Sequence, residues 1–131
     1  MRIRSAVVDA IIAHARAEAP RECCGLLIGT GTAVEEALPA ENVRASEVSF
    51  LVSPQDHFAA IRHARTTHRS VVGAYHSHPR SPAVPSPTDV AEANDPSLLH
   101  VIVSMAQPEA ELRAWRIADG SVTPVVLIRD G

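Results

Sequence analysis

Two histidines one residue apart, followed by an aspartate, form the spacing in this sequence best suited to binding a metal ion. They lie in HSHPRSPAVPSPTD, residues 76–89, where Asp89 follows eleven residues after the second histidine of the pair His76 and His78. Imidazole nitrogens and carboxylate oxygens are typical zinc ligands, and three protein ligands leave a fourth tetrahedral position for water. The residue types therefore indicate a catalytic metal centre.

A strand is predicted to bring the two histidines to the same side. RSVVGAY, residues 69–75, is apolar and rich in β-branched residues, which indicates a buried strand running directly into His76. Because successive side chains of a strand point to opposite faces, His76 and His78 would project together, about 6 to 7 Å apart at the backbone. The loop that must carry Asp89 back to them contains four prolines, which restrict its conformational freedom.

The stretch Ser86-Pro87-Thr88-Asp89 also fits a purely structural role at the start of a short helix. A capping serine, a proline at the first helical position and an acid at the third all favour helix initiation. Ser53-Pro54-Gln55-Asp56 repeats this pattern before another predicted helix, but no histidine pair precedes it. The four-residue pattern by itself therefore favours capping, and only the preceding histidines raise Asp89 above Asp56 as a candidate ligand.

Glu22 is a candidate for acid–base chemistry at the start of the first predicted buried strand. It leads into CCGLLIG, where a plain strand would prefer an apolar residue. A hydrolytic centre needs a base that accepts the proton of water and a donor that stabilises the developing oxyanion. A solvated glutamate in a helix-to-strand loop is the competing interpretation of Glu22.

The remaining patterns predict elements of both kinds. Apolar residues at helical spacing indicate a helix over residues 5–19, with Ser5 as a candidate N-cap and Val8, Ile11 and Ala15 on its buried face. A second helix begins after Ser53 and would bury Phe58 and Ile61. The other predicted elements are strands at 24–29, 32–40, 47–52, 98–105, 111–117 and 121–128 and a short helix after Ser86.

The bulk properties exclude several classes of protein. With 131 residues and 46% hydrophobic content, we expect one domain spanning residues 1–131. A net charge of −3 without any basic cluster argues against nucleic acid as a partner. The N-terminal apolar stretch is too short and too polar for a signal or a membrane span, so we expect a cytoplasmic protein that binds no membrane. The adjacent Cys23 and Cys24 are expected to be free thiols.

Together, the patterns around these residues resemble the motif of the JAMM metallopeptidases, the catalytically competent MPN domains. That motif reads E-x-[CM]-G, then H-[ST]-H-P, then S-x-x-D with the acid eleven residues after the second histidine. This sequence matches every position in order and spacing. The matching residues are Glu22, His76, His78, Ser86 and Asp89.

The resemblance implies a fold, a cofactor and a role for each residue. The fold would be α/β, with a curved mixed β-sheet flanked by two longer helices and one short helix. One Zn²⁺ per chain would be bound by His76, His78 and Asp89. Glu22 would be the general acid/base for a zinc-bound water, and Ser86 would help to stabilise the tetrahedral intermediate.

The resemblance also implies a substrate class. Members of this family cleave peptide or isopeptide bonds after the C-terminal glycine of ubiquitin-like proteins. The chain is most similar to the short bacterial type, which acts on sulfur-carrier proteins with a Gly-Gly tail. The identity of the substrate, the choice between peptide and lysine isopeptide, the choice between monomer and homodimer, and the metal bound in the cell all remain open.

Three rival interpretations are weighed against this one. A non-catalytic MPN scaffold that binds partner proteins is the main alternative, although such relatives typically lack motif residues. An amidohydrolase would need a barrel of roughly 250 residues, and a cysteine peptidase would use Cys23 or Cys24. The remaining residues are expected to be solvated histidines (His14, His57, His63, His68 and His100) and aromatics of the core or a groove wall (Tyr75 and Trp115).

Overall fold

One mixed eight-stranded sheet organises the computed structural model of the chain, which describes residues 1–131. Three helices accompany the sheet. The strands are β1 (Arg2–Arg4), β2 (Cys24–Gly29), β3 (Ala33–Ala40), β4 (Ser70–His78), β5 (Leu99–Ser104), β6 (Glu111–Ala118), β7 (Ser121–Val125) and β8 (Ile128–Asp130). The helices are α1 (Ser5–Glu18), α2 (Pro54–Thr66) and α3 (Pro87–Glu92).

The sheet curls until its two edges approach each other. The strand order is β7-β6-β5-β4-β2-β3-β1-β8, so β7 and β8 occupy opposite edges. Only Val126 and Leu127 separate these two strands in sequence, and so short a connection requires the edges to lie close together. The prediction of one closing strand over 121–128 is therefore wrong, because the chain crosses from one edge to the other within it.

Helix α1 packs on one face of the sheet and supplies much of the main core. Val8, Ile11 and Ala15 are buried there, as the helical spacing predicted. Ser5 does not cap the helix, which is a correction to the sequence-based expectation. Arg4 occupies the N-cap position without a side-chain cap, because β1 runs directly into the helix. The Ser5 hydroxyl instead accepts a hydrogen bond from Arg129.

Helix α2 packs on the opposite face of the sheet. Its buried residues are Ala60 and Ala64, which contact Leu26 and Ile28 of β2. The predicted apolar face was wrong in part, since the Phe58 side chain is 63% exposed. Small alanine side chains let a helix approach a sheet closely, and the bulkier phenylalanine is left at the rim.

The segment between β3 and α2, residues 41–53, is a loop that lies beside the candidate site. The predicted strand over 47–52 is wrong, since the segment forms only an isolated bridge between Asn42 and Val52. The Asn42 side chain instead forms hydrogen bonds with the backbone of this segment. It accepts from the Leu51 amide at 3.0 Å and donates to the Ser49 carbonyl at 3.1 Å. Alternating apolar residues thus form a folded loop in which a side chain, and not a neighbouring strand, bonds the backbone. No helix of the chain is long and apolar enough to cross a membrane.

Candidate metal centre and active site

Strand β4 presents the histidine pair as predicted. It continues through His78, and both His76 and His78 are buried. Ser77 points to the other face, where its Oγ accepts a hydrogen bond of 2.8 Å from the Cys23 amide. The alternation of the strand therefore places two imidazoles on one side and uses the intervening serine to tie β4 to the residue that follows Glu22.

The proline-containing loop after β4 is held in place by three side-chain hydrogen bonds. His78 Nδ1 donates to the Pro82 carbonyl at 2.8 Å, and Trp115 Nε1 donates to the Ala83 carbonyl at 2.9 Å. The Ser104 hydroxyl donates to the Ser81 carbonyl at 2.6 Å. These contacts fix the path that returns the chain to α3 and Asp89. They also place Trp115 beneath the loop, in agreement with its predicted role as a core or groove-wall aromatic.

The donor atoms of His76, His78 and Asp89 form a nearly equilateral triangle. The two Nε2 atoms lie 3.1 Å apart, and each lies 3.1 Å from Asp89 Oδ2. Tetrahedral zinc, with bonds of about 2.0 to 2.2 Å, separates its ligand atoms by about 3.3 to 3.6 Å. Only a small expansion of the triangle would therefore accommodate the ion. This is the only group of three such ligands within reach of one another in the chain.

The hydrogen bond from His78 to Pro82 determines which nitrogen faces the triangle. A carbonyl can only accept, so Nδ1 carries the proton and Nε2 of the neutral ring keeps its lone pair. This arrangement is common for histidines that bind metals, because the outer hydrogen bond fixes the tautomer. Phe50 stacks on the His76 ring with centroids 4.2 Å apart and fixes its plane.

Electrostatics in the triangle favour a bound cation. Burial lowers the pKa of His76, which keeps its ring neutral near pH 7. Burial would raise the pKa of Asp89, but the imidazoles of His76 and His78 beside it outweigh burial and hold the pKa of that carboxyl well below its usual range. Burial would lower the pKa of His78, but its hydrogen bonds with Asp89 and the Pro82 carbonyl outweigh it and raise that pKa. A bound cation would displace this proton and leave two neutral nitrogens and one carboxylate oxygen as ligands.

Helix α3 delivers Asp89 through its capping geometry. The Asp89 amide donates to Ser86 Oγ at 3.0 Å, and the Ser86 amide donates to Asp89 Oδ2 at 2.9 Å. The structural and chemical interpretations of the SPTD stretch are therefore compatible, because the same oxygen completes the capping box and faces both histidines. The Ser86 Oγ accepts in this box, so its own proton stays available for a further hydrogen bond.

Glu22 lies beside the triangle: Cys24 is level with His76 and Cys23 bonds to Ser77, so this register places Glu22 next to His78. Its side chain is 5% exposed, and its Oε1 atom is buried without a hydrogen-bond partner. Burial raises the pKa of Glu22 to about 7; the charge of His78 lowers it and that of Asp89 raises it. The competing interpretation, a solvated loop glutamate, is wrong.

Two residues that the sequence did not single out hold the Glu22 backbone. The Glu22 amide donates to the Ser46 carbonyl at 2.8 Å, and Asn42 Nδ2 donates to the Glu22 carbonyl at 3.1 Å. The 41–53 loop thus fixes both sides of the glutamate. No local pattern identifies Asn42, because Glu22 lies 20 residues away in sequence and becomes its neighbour only in the fold.

The adjacent cysteines do not join this site. Both are buried free thiols, as predicted. Burial raises the pKa of Cys23 to about 11 and that of Cys24 to about 12, which disfavours the thiolate that a cysteine peptidase requires.

The other histidines divide into two groups. His57 and His68 are exposed, as predicted, and His63 is partly exposed and bonded to Glu36. The prediction of solvated positions is wrong for His14 and His100. His14 is partly buried and lies 2.8 Å from the Tyr75 hydroxyl, in the core. His100 belongs to β5, where its buried Nε2 has no partner.

Known families and relatives place this geometry in context. Residues 4–118 match the family described as prokaryotic homologs of the JAB domain. The chain belongs to this family. It is 36% identical over 124 residues to the CysO-cysteine peptidase of Mycobacterium tuberculosis, covering 92% of this chain and 85% of that protein. It is 37% identical over 103 residues to the desampylase of Haloferax volcanii, covering 73% of this chain and 74% of that protein.

Solved structures agree with the family at the level of fold. A solution structure of a protein from Desulfitobacterium hafniense superposes with a TM-score of 0.91 and 32% identity, covering 99% of this chain and 93% of that one. A structure described as a JAMM metalloprotease-like zinc site in the proteasome and signalosome gives a TM-score of 0.62 at 21% identity, covering 98% and 97%. The predicted α/β fold with a curved mixed sheet is confirmed, as is the prediction of a JAMM-type hydrolase.

Proposed function

We propose that this chain is a zinc-dependent peptidase that hydrolyses the bond after the C-terminal glycine of a ubiquitin-like or sulfur-carrier protein. The names of the mycobacterial and haloarchaeal relatives support this substrate class, since one is a CysO-cysteine peptidase and the other a desampylase. Those two names imply different leaving groups. We therefore propose a carrier with a Gly-Gly tail and leave both an amino acid and a lysine side chain as candidates for the released amine.

His76, His78 and Asp89 are the residues that would hold the metal ion. A donor set of two imidazole nitrogens and one carboxylate fits zinc, and three ligands leave an open position for chemistry. A zinc ion held there supplies Lewis acidity, which polarises a carbonyl and lowers the pKa of water. Pro82 supports the site from outside by fixing the His78 tautomer.

The unpartnered, buried carboxyl of Glu22 is the observation that carries the proposal. A structural glutamate would be expected to form a hydrogen bond, because leaving a buried polar atom unpaired costs free energy. With a pKa raised to about 7, Glu22 can both accept and release a proton near neutrality. In the proposed reaction it accepts the proton of the attacking water and then donates it to the nitrogen of the leaving amine.

Ser86 is proposed to stabilise the negative charge that develops on the substrate carbonyl oxygen. Its hydroxyl proton is free, since Oγ acts only as an acceptor in the capping box. The rigid start of α3 holds that hydroxyl next to Asp89, so little reorganisation is needed when charge develops. We also propose that residues 1–131 act as a single catalytic domain, because strands near both chain ends, β1 and β8, pair in one sheet.

Metal content and cleavage together test the proposal. Elemental mass spectrometry should find about one zinc per wild-type chain purified without added metal, and His78→Ala should lose it. A carrier extended by one residue beyond its Gly-Gly end should be cleaved by the wild type and protected by a chelator. Cleavage that survives the chelator but stops after thiol alkylation would overturn the proposal in favour of a cysteine peptidase. A stable chain that binds no zinc and cleaves nothing would favour the scaffold.

A further inference from the structure

His100 contains one of the two buried side-chain atoms that have no hydrogen-bond partner in the protein. The two atoms are Glu22 Oε1 and His100 Nε2. The proposed reaction gives a role to the glutamate and none to the histidine. An unsatisfied buried polar group destabilises a fold, and the other ring nitrogen of His100, Nδ1, also forms no hydrogen bond and is not fully covered. The imidazole of His100 therefore points to a ligand that completes it.

The strand register places His100 on the same face as the metal-binding triangle. In the parallel pair of β4 and β5, His76 is level with Ile102 and Ala74 with His100. Side chains two residues apart on a strand share a face, so His100 and His76 project to the same side. Strand β2 borders β4 on its other edge. Glu22 and His100 therefore flank the triangle from opposite sides of β4.

A cavity of about 300 Å³ connects His100 with the triangle. His76 and Asp89 line it at the metal side, and His100 lines it further along. Phe50 and Leu51 of the 41–53 loop contribute apolar surface. The cavity is thus bounded by the site, by an apolar wall and by an imidazole that lacks a partner.

The position of Glu22 assigns a direction to the substrate. Glu22 must reach the nitrogen of the leaving amine, so the leaving group lies on the β2 side of the triangle. The acyl part then extends towards the β5 side, into the cavity that His100 lines. A Gly-Gly tail has no side chains, so peptide N–H and C=O groups are all it offers for recognition.

We propose that His100 is a positioning residue whose imidazole forms a hydrogen bond with the main chain of the substrate's C-terminal tail, on the acyl side of the scissile bond. This inference rests on the proposed function. It assigns the cavity beside β5 to the tail, and it gives a partner to a histidine whose side chain forms no hydrogen bond within the protein. The bond forms with substrate and transition state alike, so its loss should raise KM and leave kcat nearly unchanged.

A binding measurement tests this without requiring turnover. The probe is a fluorescein-labelled peptide ending in Gly-Gly with a free carboxylate, titrated by fluorescence anisotropy against zinc-loaded chain. His100→Leu should weaken binding by about 3- to 10-fold, as expected for one neutral hydrogen bond. His100→Gln, which keeps a donor and an acceptor, should recover part of the loss. His68→Asn is the matched control, because it removes an exposed histidine at a positive φ that asparagine tolerates.

Zinc content, melting temperature and kinetics separate the outcomes. The inference expects unchanged zinc and melting temperature in His100→Leu, a raised KM for a cleavable Gly-Gly substrate and a kcat within about twofold of the wild type. A wild-type affinity retained by His100→Leu would overturn the inference and leave the proposed function standing. Weaker binding accompanied by zinc loss would also overturn it, because His100 would then support the metal site. A wild type that binds no Gly-Gly peptide would overturn both.

Discussion

The chain begins two helices with the same four-residue pattern, and only one of them delivers a candidate metal ligand. At α2, Ser53 accepts from the Asp56 amide at 3.4 Å, and Asp56 Oδ2 accepts from the Glu41 amide at 2.8 Å. At α3, the aspartate closes a reciprocal capping box and also lies 3.1 Å from two histidine nitrogens. The same local sequence thus supports a backbone contact at one site and a cluster of donor atoms at the other.

The difference lies in what each helix start faces. Asp56 faces the backbone at the end of β3, where one amide satisfies its carboxylate. Asp89 faces the end of β4, where two buried imidazoles leave space for a cation. A local pattern therefore sets the helix start, and the neighbouring strand determines whether the carboxylate can act as a metal ligand.

The largest difference between the two helix starts is expected when each aspartate is removed. Asp89→Ala should abolish zinc binding and reduce cleavage to below about one hundredth of the wild-type rate, since two imidazoles alone do not complete the site. Asp56→Ala should keep both zinc and activity. Elemental analysis and initial rates on the same preparations measure this. Equal loss in the two variants would remove the distinction between the helices.

A substitution of Glu22 separates proton transfer from metal binding. Glu22→Gln should keep about one zinc per chain and lose roughly 10²- to 10⁴-fold in kcat, the usual contribution of a general acid–base group. The amide is isosteric but cannot exchange the proton. Zinc content and single-turnover rates should be compared with those of Asp89→Ala. Equal zinc loss in both variants would contradict the division of roles.

The two capping serines provide a finer comparison. Ser53→Ala and Ser86→Ala should each reduce the free energy of unfolding by about 1 kcal/mol through loss of a cap. Only Ser86→Ala should also lower kcat, by roughly 10²-fold if its hydroxyl stabilises the oxyanion. Urea unfolding and steady-state kinetics give the two readouts. An unchanged kcat in Ser86→Ala would restrict this serine to its capping role.

The smallest effect on stability is expected for the ion pairs that connect α2 and the segment after it to β3. Glu36 accepts from His63 at 2.7 Å and from Arg69 at 2.8 Å. Burial would raise the pKa of Glu36, but these partners outweigh it and lower the pKa below its ordinary value of 4.5. A lowered pKa in the folded state gives stability that is present above pH 4.5 and lost as the pH falls through the folded value.

The pH dependence of melting tests this contribution. Glu36→Gln should lower the melting temperature at pH 7, and the difference from the wild type should shrink as the pH falls below 4.5 and through the folded-state pKa. Glu109→Gln is the control, because this glutamate is exposed and forms no ion pair. A difference that stays constant down to pH 3 would show that Glu36 stabilises α2 through packing alone.

The fold was predictable where local patterns repeat and unpredictable where edges meet. Periodicity located α1, α2 and the central strands β2, β4 and β5 within a few residues, because burial on one or both faces leaves a strong pattern. It missed β1, which is three residues long, and the break between β7 and β8. Those features depend on the closure of the sheet, which no window of sequence contains. Residues 47–52 alternate like a strand, but whether such a segment pairs in a sheet also depends on residues outside the window, and here it forms only an isolated bridge.

The candidate site was predictable to the extent that its residues stand in order along the chain. The pair His76 and His78, the aspartate and Glu22 could be singled out from type and spacing, and the fold brings them together. Asn42 and Phe50 could not, since their importance lies in contacts with Glu22 and with His76 of β4. His100 was assigned to solvent because a lone histidine in an apolar strand carries no signal of a nearby cavity.

The sequence by itself determined the membership of the chain in a family, the strand that aligns two imidazoles and the capped helix that carries a carboxylate. These are properties of neighbours in the chain, fixed by alternation and capping over a few residues. Tertiary structure alone decided that Glu22 is buried without a partner and that His100 shares its face with the triangle. Burial and register between β2, β4 and β5 depend on residues far apart in sequence, so only the folded sheet could establish them.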